Sequence, residues 1–279
     1  MGIGYQMIDR HVIDYDLWFL EDGGPPLRGP PVDVARLDLS RAICCIGAAQ
    51  TFGRFVADPY PVKIGRLLRR PVLNLGASGA GPEYFLGKPS MMALIQEAEI
   101  VVIQGMSARS VSAGVFRALG NNGMLEFLGG PQKGKRQLAL PAYAELRRVC
   151  GEGAFLKQVV MVQQRWVELH HIIAGRISGH KIFLWMSADR PGLNVRLEAS
   201  PVGAFPHFVT AEMLSEITPL FDEVIECVLP NMPPQVLVND RTFLVEPVFD
   251  EGNFPDRPED MRSINTYYAT PELHELAAN

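Results

Sequence analysis

Short apolar runs alternate with amphipathic segments along the chain from about residue 42 onward. A short apolar run bounded by glycine or charged residues is typical of a buried strand, whereas apolar residues three and four positions apart indicate a helix face. The pattern predicts five strands, at residues 42–47, 72–75, 100–104, 181–187 and 223–229.

Helical periodicity fills the intervals between these strands. Helices are predicted at residues 61–70, 90–98, 155–177, 210–220 and 271–278. The apolar face of the longest one consists of Val159, Val162, Trp166, Leu169 and Ile173. Strands that alternate with helices predict a parallel sheet with helices on both faces. The expected fold class is therefore α/β, a three-layer α/β/α domain with a five-stranded parallel sheet.

Three segments depart from the alternation. Residues 1–40 are aromatic and acidic and then rich in proline, which cannot donate to a sheet ladder. They predict an N-terminal arm that crosses the surface and packs on the core of a single domain at residues 41–279, and that offers a contact for a homo-oligomer. Residues 107–141 are rich in glycine and predict a long irregular loop of functional importance. Residues 236–249 predict a hairpin or an edge element.

Composition narrows the classes of function. Hydrophobic residues make up 47% of the chain and charged residues 20%, and the net charge is −5, which argues against a broad nucleic-acid surface. No apolar stretch is long enough to predict a membrane span. The four cysteines lack paired spacing, so we predict reduced, buried thiols and no metal site. The charged N-terminal segment does not resemble a signal peptide. Together these features favour a cytoplasmic protein.

The loops after the first three predicted strands carry the candidate chemistry. In open parallel sheets, ligands bind at the carboxyl ends of the strands, where glycine permits close backbone approach and exposed N–H groups attract anions. Arginine can hold a carboxylate, sulfate or phosphate through two hydrogen bonds. The predicted ligand-binding residues are Gly47, Gln50, Arg54, Asn74, Gly76, Gly79, Gly105 and Arg109.

These loops resemble the motifs of the SGNH (GDSL-like) hydrolase superfamily. Asn74, Gly76 and Gly79 match its second block, and Gly47, Thr51 and Gly53 match the shape of its first block. The final segment, residues 270–278, is similar to the family's last helix. The resemblance spans residues 42–279 and implies a flavodoxin-like core.

The departures from the family pattern remove its hydrolytic groups. By the resemblance, Ala49 stands at the nucleophile position, Tyr268 at the base and Asn265 at the acid that orients the base. Ser107 stands where the family has an oxyanion-side asparagine. An alanine cannot form an acyl-enzyme, so the resemblance implies a degenerate triad. The remaining candidates for catalysis are Thr51, Ser107, Arg109 and His274, of which His274 is also suited to a packing or capping role.

Three functions remain open from the sequence. The leading hypothesis is a protein that binds or modifies a polar ligand, such as a glycan, without ester hydrolysis and without a cofactor. The aromatic residues that would stack on a sugar are Tyr15, Trp18, Phe19, Tyr267 and Tyr268. The first alternative is a glycan sulfotransferase or acyltransferase that holds a sulfated nucleotide donor with Arg54 and Arg109. The second is an assembly protein whose N-terminal arm docks on a neighbour.

Overall fold

A computed structural model describes residues 9, 12–21, 24–120, 123–192, 200, 202–249 and 257–279. The strands of this part are β1 (Trp18–Phe19), β2 (Pro26–Leu27), β3 (Ile43–Ile46), β4 (Val72–Asn74), β5 (Ile100–Gln104), β6 (Phe116–Ala118), β7 (Met124–Phe127), β8 (Arg136–Leu138), β9 (His180–Ser187), β10 (Glu223–Val228), β11 (Gln235–Val236) and β12 (Ile264–Asn265). Its α-helices are α1 (Ala49–Phe52), α2 (Tyr60–Leu68), α3 (Pro82–Leu86), α4 (Pro89–Glu97), α5 (Ala139–Ala174), α6 (Ala211–Ile217) and α7 (Pro271–Leu276).

The central sheet contains five parallel strands in the order β10-β9-β5-β3-β4. Each predicted strand is present, so the predicted α/β class is confirmed. The first strand of the sheet along the chain lies inside it, with the second on one side and the later three on the other. This is the flavodoxin-like order, in which the switch in winding direction opens a crevice at the carboxyl ends.

Helices cover both faces of the sheet because alternate residues of a strand point to opposite sides. Ile43 and Cys45 of β3 are buried with Tyr60 of α2 and Leu273 of α7. Cys44, between them, is buried on the other face with the apolar side of α4. Strands buried on both faces require continuous apolar runs, and for this reason they stand out in the sequence.

The helix boundaries follow local chemistry. Proline occupies the first turn of α2, α3, α4 and α7, where its fixed φ suits a helix and its missing N–H costs nothing. The predicted cap of α6 is confirmed, since the Thr210 side chain accepts a hydrogen bond from the Met213 N–H at 3.4 Å. The five residues of the predicted apolar face of α5 are buried.

The segment predicted to be an irregular loop, residues 107–141, instead contains an antiparallel sheet of β6, β7 and β8. Burial alternates along β7, where Leu125 and Phe127 face the core. Glycine-rich turns link these strands and masked their short alternating pattern. Helix α5 also begins earlier than predicted, at Ala139, and is interrupted at Gly151, whose φ is 83°.

The described part of the N-terminal arm packs against the core of the domain. Tyr15 and Trp18 are buried, and the Tyr15 ring lies edge-on to Phe52, with 4.9 Å between the ring centroids. The Trp18 indole donates a hydrogen bond to the Arg28 carbonyl at 3.1 Å. These two rings are therefore unable to stack on a sugar, whereas Phe19 remains exposed. Residues 1–8, 10, 11, 22 and 23 of the predicted arm lie outside the described residues.

The segment predicted as a hairpin or edge element has a mixed outcome. An isolated antiparallel bridge joins Val238 to Val245, and β11 pairs with β12 near the end of the chain. Three cysteines are buried as predicted, but Cys150 is exposed on α5, and all four are free thiols. Within the described residues, no helix combines the length and the apolar character needed to cross a membrane.

Candidate functional site

A cavity of about 720 Å³ opens at the carboxyl end of the parallel sheet. Its volume lies within the usual range for small-molecule sites. Five residues singled out in the sequence line it, namely Ala49, Gln50, Gly79, Ser107 and Arg109. The turn after β12 adds Tyr267 and Tyr268 to the wall, and the loop after β9 adds His207. The cavity therefore lies where the topology predicts a ligand site.

The remaining predicted glycine and asparagine positions hold the strand-end loops together and do not line the cavity. The Asn74 side chain donates to the Thr51 carbonyl at 2.9 Å and accepts from the Gly76 N–H at 3.0 Å. A Cβ on Gly76 would lie 2.2 Å from the Phe52 backbone nitrogen, and one on Gly47 would lie 2.2 Å from Thr51 Oγ1. These residues allow β3, β4 and α1 to approach closely enough to form one side of the site.

The loop after β5 is joined to the loop that precedes α6. Ser107 Oγ accepts a hydrogen bond from the His207 backbone N–H at 3.1 Å, and the Ala108 N–H donates to the His207 carbonyl at 2.9 Å. Gly105 begins the first of these loops, directly after β5, and its N–H donates to the Leu184 carbonyl of β9 at 2.8 Å. Ser107 thus positions His207, which makes it part of the framework of the cavity.

Asn265 shapes the turn that presents the two tyrosines. Its Oδ1 accepts hydrogen bonds from the N–H groups of Tyr267 and Tyr268, at 3.1 and 2.8 Å. Its amide nitrogen donates to Gln235 Oε1 at 2.9 Å, which ties this turn to β11. An asparagine that bonds to the backbone in this way stabilises a turn. Asn265 therefore has a structural task at the position where the resemblance implies a triad acid.

A directed chain of hydrogen bonds runs through the cavity wall. His207 Nδ1 lies 2.9 Å from the Gly203 carbonyl, an acceptor, so this ring nitrogen carries the proton. Burial, with Arg109 nearby, lowers the pKa of His207 to about 3, so its Nε2 accepts from the Tyr267 hydroxyl at 2.9 Å. Arg109 Nη2 donates to the same hydroxyl oxygen at 3.4 Å. Burial raises the pKa of Tyr267, which keeps this donor protonated at neutral pH.

Polar atoms around the cavity retain unused hydrogen-bonding capacity. Within the described part of the chain, Gln50 Oε1, Arg109 Nε and Ser110 Oγ are buried without a partner. No carboxylate of the described residues forms an ion pair with Arg109. Among these residues, its guanidinium contacts the Tyr267 hydroxyl through Nη2. Because buried polar groups in native proteins are usually paired, the unpaired Nε of Arg109 beside this cavity favours a ligand on its guanidinium.

Arg54, the other arginine predicted to bind an anion, is engaged within the protein. Its Nε donates to Asp9 Oδ2 at 2.6 Å and its Nη2 to Asp9 Oδ1 at 3.0 Å, so the pair is bidentate and buried. Its third nitrogen donates to the Tyr268 hydroxyl at 2.6 Å. The guanidinium also lies 4.5 Å from the Phe55 ring centroid. Arg54 is absent from the described wall of the cavity and connects the N-terminal arm to the tyrosine turn.

Two of the catalytic candidates lie in the packed interior. Thr51 is fully buried and its hydroxyl is 3.0 Å from the Tyr60 hydroxyl. His274 is also fully buried, accepts a hydrogen bond from the Tyr60 N–H at 3.1 Å, and stacks on the Tyr60 ring. Burial lowers the pKa of His274 to about 3, so it is neutral at physiological pH. These contacts fit the packing role foreseen for His274 and place neither residue on the described cavity wall.

Comparison with known families finds one match. The family model "Domain of unknown function (DUF6473)" matches residues 4–118 and 144–244, which is more than half of the chain. The chain belongs to the DUF6473 family. A search of curated proteins finds no relative. The DUF6473 match covers the parallel sheet together with Arg109 and His207, whereas Tyr267 lies beyond its end.

His207 is the functional candidate that the sequence did not reveal. It follows the fourth parallel strand by twenty residues in an irregular loop, with no regular spacing to mark it. Its only sequence signal is its place in the loop after a predicted strand of the parallel sheet. Among the described residues, no group of His, Cys, Asp or Glu side chains is arranged to hold a metal ion.

Proposed function

We propose that this DUF6473 protein binds a ligand with an anionic group in the strand-end cavity, and that it does so without ester hydrolysis. The observation that carries the proposal is Arg109, a cation in the cavity wall with no carboxylate partner among the described residues. A partly buried positive charge is costly unless it is paired. An anion on its guanidinium would supply the missing partner.

The neighbours of Arg109 suit an anion. His207 is neutral and Tyr267 presents a hydroxyl, so neither adds negative charge beside the guanidinium. Ser110 follows Arg109 directly and also lines the cavity, but its hydroxyl is buried beneath the surface of the wall. A carboxylate, sulfate or phosphate would accept hydrogen bonds from the guanidinium of Arg109.

We propose that the protein does not hydrolyse esters because of the residues at positions 49 and 268, Ala49 and Tyr268. Ala49 lines the cavity at the position that the SGNH resemblance gives to the nucleophile, and it has no atom that can attack a carbonyl. The Tyr268 hydroxyl accepts a hydrogen bond from Arg54, which makes it still less suited to remove a proton. The flavodoxin-like strand order and the position of the cavity support the resemblance to SGNH proteins.

A transferase is the second candidate, favoured by the 2.9 Å contact between His207 Nε2 and the Tyr267 hydroxyl. An imidazole beside a hydroxyl can take its proton and so activate the oxygen for attack, but a pKa near 3 makes His207 a weak base. We therefore rank transfer below binding.

We also propose a cytoplasmic location, which the free thiols support.

The test combines binding with turnover. Sulfate, phosphate and acetate are titrated into the wild-type protein and into Arg109→Gln, with thermal unfolding as the readout. We expect at least one anion to raise the unfolding temperature of the wild type and none to raise that of Arg109→Gln. Turnover of p-nitrophenyl acetate should stay at background in both. Equal stabilisation of both proteins, or turnover abolished by Arg109→Gln, would contradict the proposal.

A further inference from the structure

We infer that the ligand of the cavity is an amphiphilic anion, with its charged group at Arg109 and an aliphatic portion extending to the cavity mouth at Leu138 and Leu140. This inference rests on the anion site proposed above and adds the chemical class of the rest of the molecule. It replaces the sugar expected from the sequence.

The first observation is the distribution of charge around the cavity. Of the described residues that line it, only Arg109 and Asp189 carry a charge. Asp189 also lines an adjoining cavity of about 320 Å³, next to Trp185, and so lies on the side that the two cavities share. Arg109 forms no ion pair with Asp189. Arg109 is therefore the one positive charge among the described residues of the wall.

The second observation is the apolar character of the remaining wall. Ala49 begins α1, Met186 lies at the end of β9, Met232 follows β10, and Leu273 belongs to α7. Methionine side chains adapt to flexible apolar ligands. The wall also holds serine and threonine hydroxyls, which would pair some hydroxyl groups of a sugar, but those placed against the apolar side chains would stay unpaired at a cost in free energy.

The third observation is at the mouth, where two leucines are exposed although they border the cavity. Leu138 ends β8 and is 52% exposed, and Leu140 begins α5 and is 45% exposed. Both fall in the gap between the two segments that match DUF6473, which also contains β7 and the start of α5. An aliphatic chain that left the cavity here would cover both side chains.

Tyr267 and Tyr268 are compatible with this geometry. The Tyr267 ring is nearly parallel to the His207 ring, at an interplanar angle of 17°, and its hydroxyl lies between Arg109 and His207. The polar end of this tyrosine therefore faces the proposed anion site. Tyr268 lies edge-on to Tyr267, with 5.0 Å between the ring centroids. The two rings line the cavity beside Arg109.

The experiment uses matched soluble probes and calorimetric titration of the full chain. Hexanoate and gluconate share a carboxylate and a six-carbon chain, but gluconate carries hydroxyl groups. Octanoate lengthens the aliphatic part, and octanol removes the charge. Leu140→Ser alters the mouth. Leu156→Ser is its control, since Leu156 is in α5 beyond the interruption at Gly151, is also 45% exposed and is absent from the described cavity wall.

We expect hexanoate to bind more tightly than gluconate, and octanoate to gain about fourfold in affinity for each methylene that becomes buried. Leu140→Ser should weaken octanoate binding about threefold or more, whereas Leu156→Ser should leave it unchanged. Arg109→Gln should abolish the advantage of octanoate over octanol.

The opposing outcomes separate the two proposals. Equal affinity for gluconate, hexanoate and octanoate, all lost in Arg109→Gln, would overturn the amphiphile and leave the anion site in place. Equal binding of octanol and octanoate, unaffected by Arg109→Gln, would overturn both proposals. If no carboxylate binds while sulfate still stabilises the protein through Arg109, the amphiphile is again overturned and the anion site stands.

Discussion

Two arginines near the same edge of the sheet have opposite environments. Arg54 follows α1, is 6% exposed, and is held by both carboxylate oxygens of Asp9 and by the Tyr268 hydroxyl. Arg109 follows β5 and, among the described residues, has a single 3.4 Å contact with the Tyr267 hydroxyl. The same residue type therefore stabilises the fold in one region and leaves binding capacity in the other.

The comparison teaches that the position of an arginine in a strand-end loop does not reveal its role. Both residues lie in strand-end loops, where an anion can bind. Their environments differ because Arg54 has a carboxylate partner that is far away in the sequence. Asp9 reaches Arg54 only because the N-terminal arm packs into the domain. Nothing comparable reaches Arg109 from the described part of the chain.

The largest expected effect is on stability at Arg54. Arg54→Met removes the partner of a buried carboxylate, and breaking a buried ion pair in this way costs about 3–5 kcal/mol. Urea denaturation monitored by tryptophan fluorescence would measure the loss. The double variant Asp9→Leu with Arg54→Met should lose less than Arg54→Met alone, because it leaves no unpaired charge. A loss below about 1 kcal/mol in Arg54→Met would show that the pair is not needed for folding.

The second prediction concerns acid sensitivity. His274 ionises near the ordinary value of 6.5 in the unfolded chain but only at about 3 in the folded one, because burial opposes its charge. The unfolded chain therefore takes up the proton first, so stability is full above pH 6.5 and falls as the pH falls toward 3. Each such histidine adds up to about 1.4 kcal/mol per pH unit to this slope.

Urea denaturation between pH 6 and pH 4 would test this for the wild type and for His274→Gln. The variant should be less stable at neutral pH, since it loses the bond from the Tyr60 N–H, but its stability should depend less steeply on pH. Equal slopes in the two proteins would mean that His274 already ionises in the folded state.

The third prediction returns to Arg109, where stability should barely change. Arg109→Gln removes a charge that has no described carboxylate partner, so its free energy of unfolding should remain within about 1 kcal/mol of the wild type. Denaturation in a buffer of low ionic strength would show this without competing anions. A loss as large as that of Arg54→Met would mean that Arg109 also holds the fold together.

The smallest expected effect is the failure of a restored nucleophile. Ala49→Ser places a hydroxyl in the cavity wall, but the resemblance assigns the base position to Tyr268, whose hydroxyl is bonded to Arg54. Hydrolysis of p-nitrophenyl acetate should therefore stay within about tenfold of the wild type, less than a general base alone contributes. A larger increase would show that another residue near Ala49 acts as a general base.

The fold was predictable from the sequence to the extent that local patterns determine it. The apolar runs at residues 42–47 and 100–104 became β3 and β5 because a strand buried on both faces must be apolar throughout. The strands β6 to β8 were missed because each is short, only half buried and joined by glycine-rich turns. Their pairing depends on contacts across the sheet, which the sequence does not display.

The candidate site was predictable only in its location. The strand-end loops lead to the cavity, and Arg109 and Ala49 lie in its wall. The roles of Arg54, His207 and Tyr267 could not be read from the sequence, since each depends on a residue that is tens of positions away or more. Local chemistry identifies which groups are available, and tertiary contacts determine which of them remain free.

The central claim is that Arg109 is an anion site and Arg54 is not. The most direct measurement follows the side-chain Nε–H signals of arginine by nitrogen-15 NMR during a titration with sulfate, with the Arg109 signal assigned through Arg109→Lys. We predict that the Arg109 signal shifts and saturates while the signal of Arg54, held by Asp9, stays in place. A stationary Arg109 signal at saturating sulfate, or equal shifts at both arginines, would contradict the account.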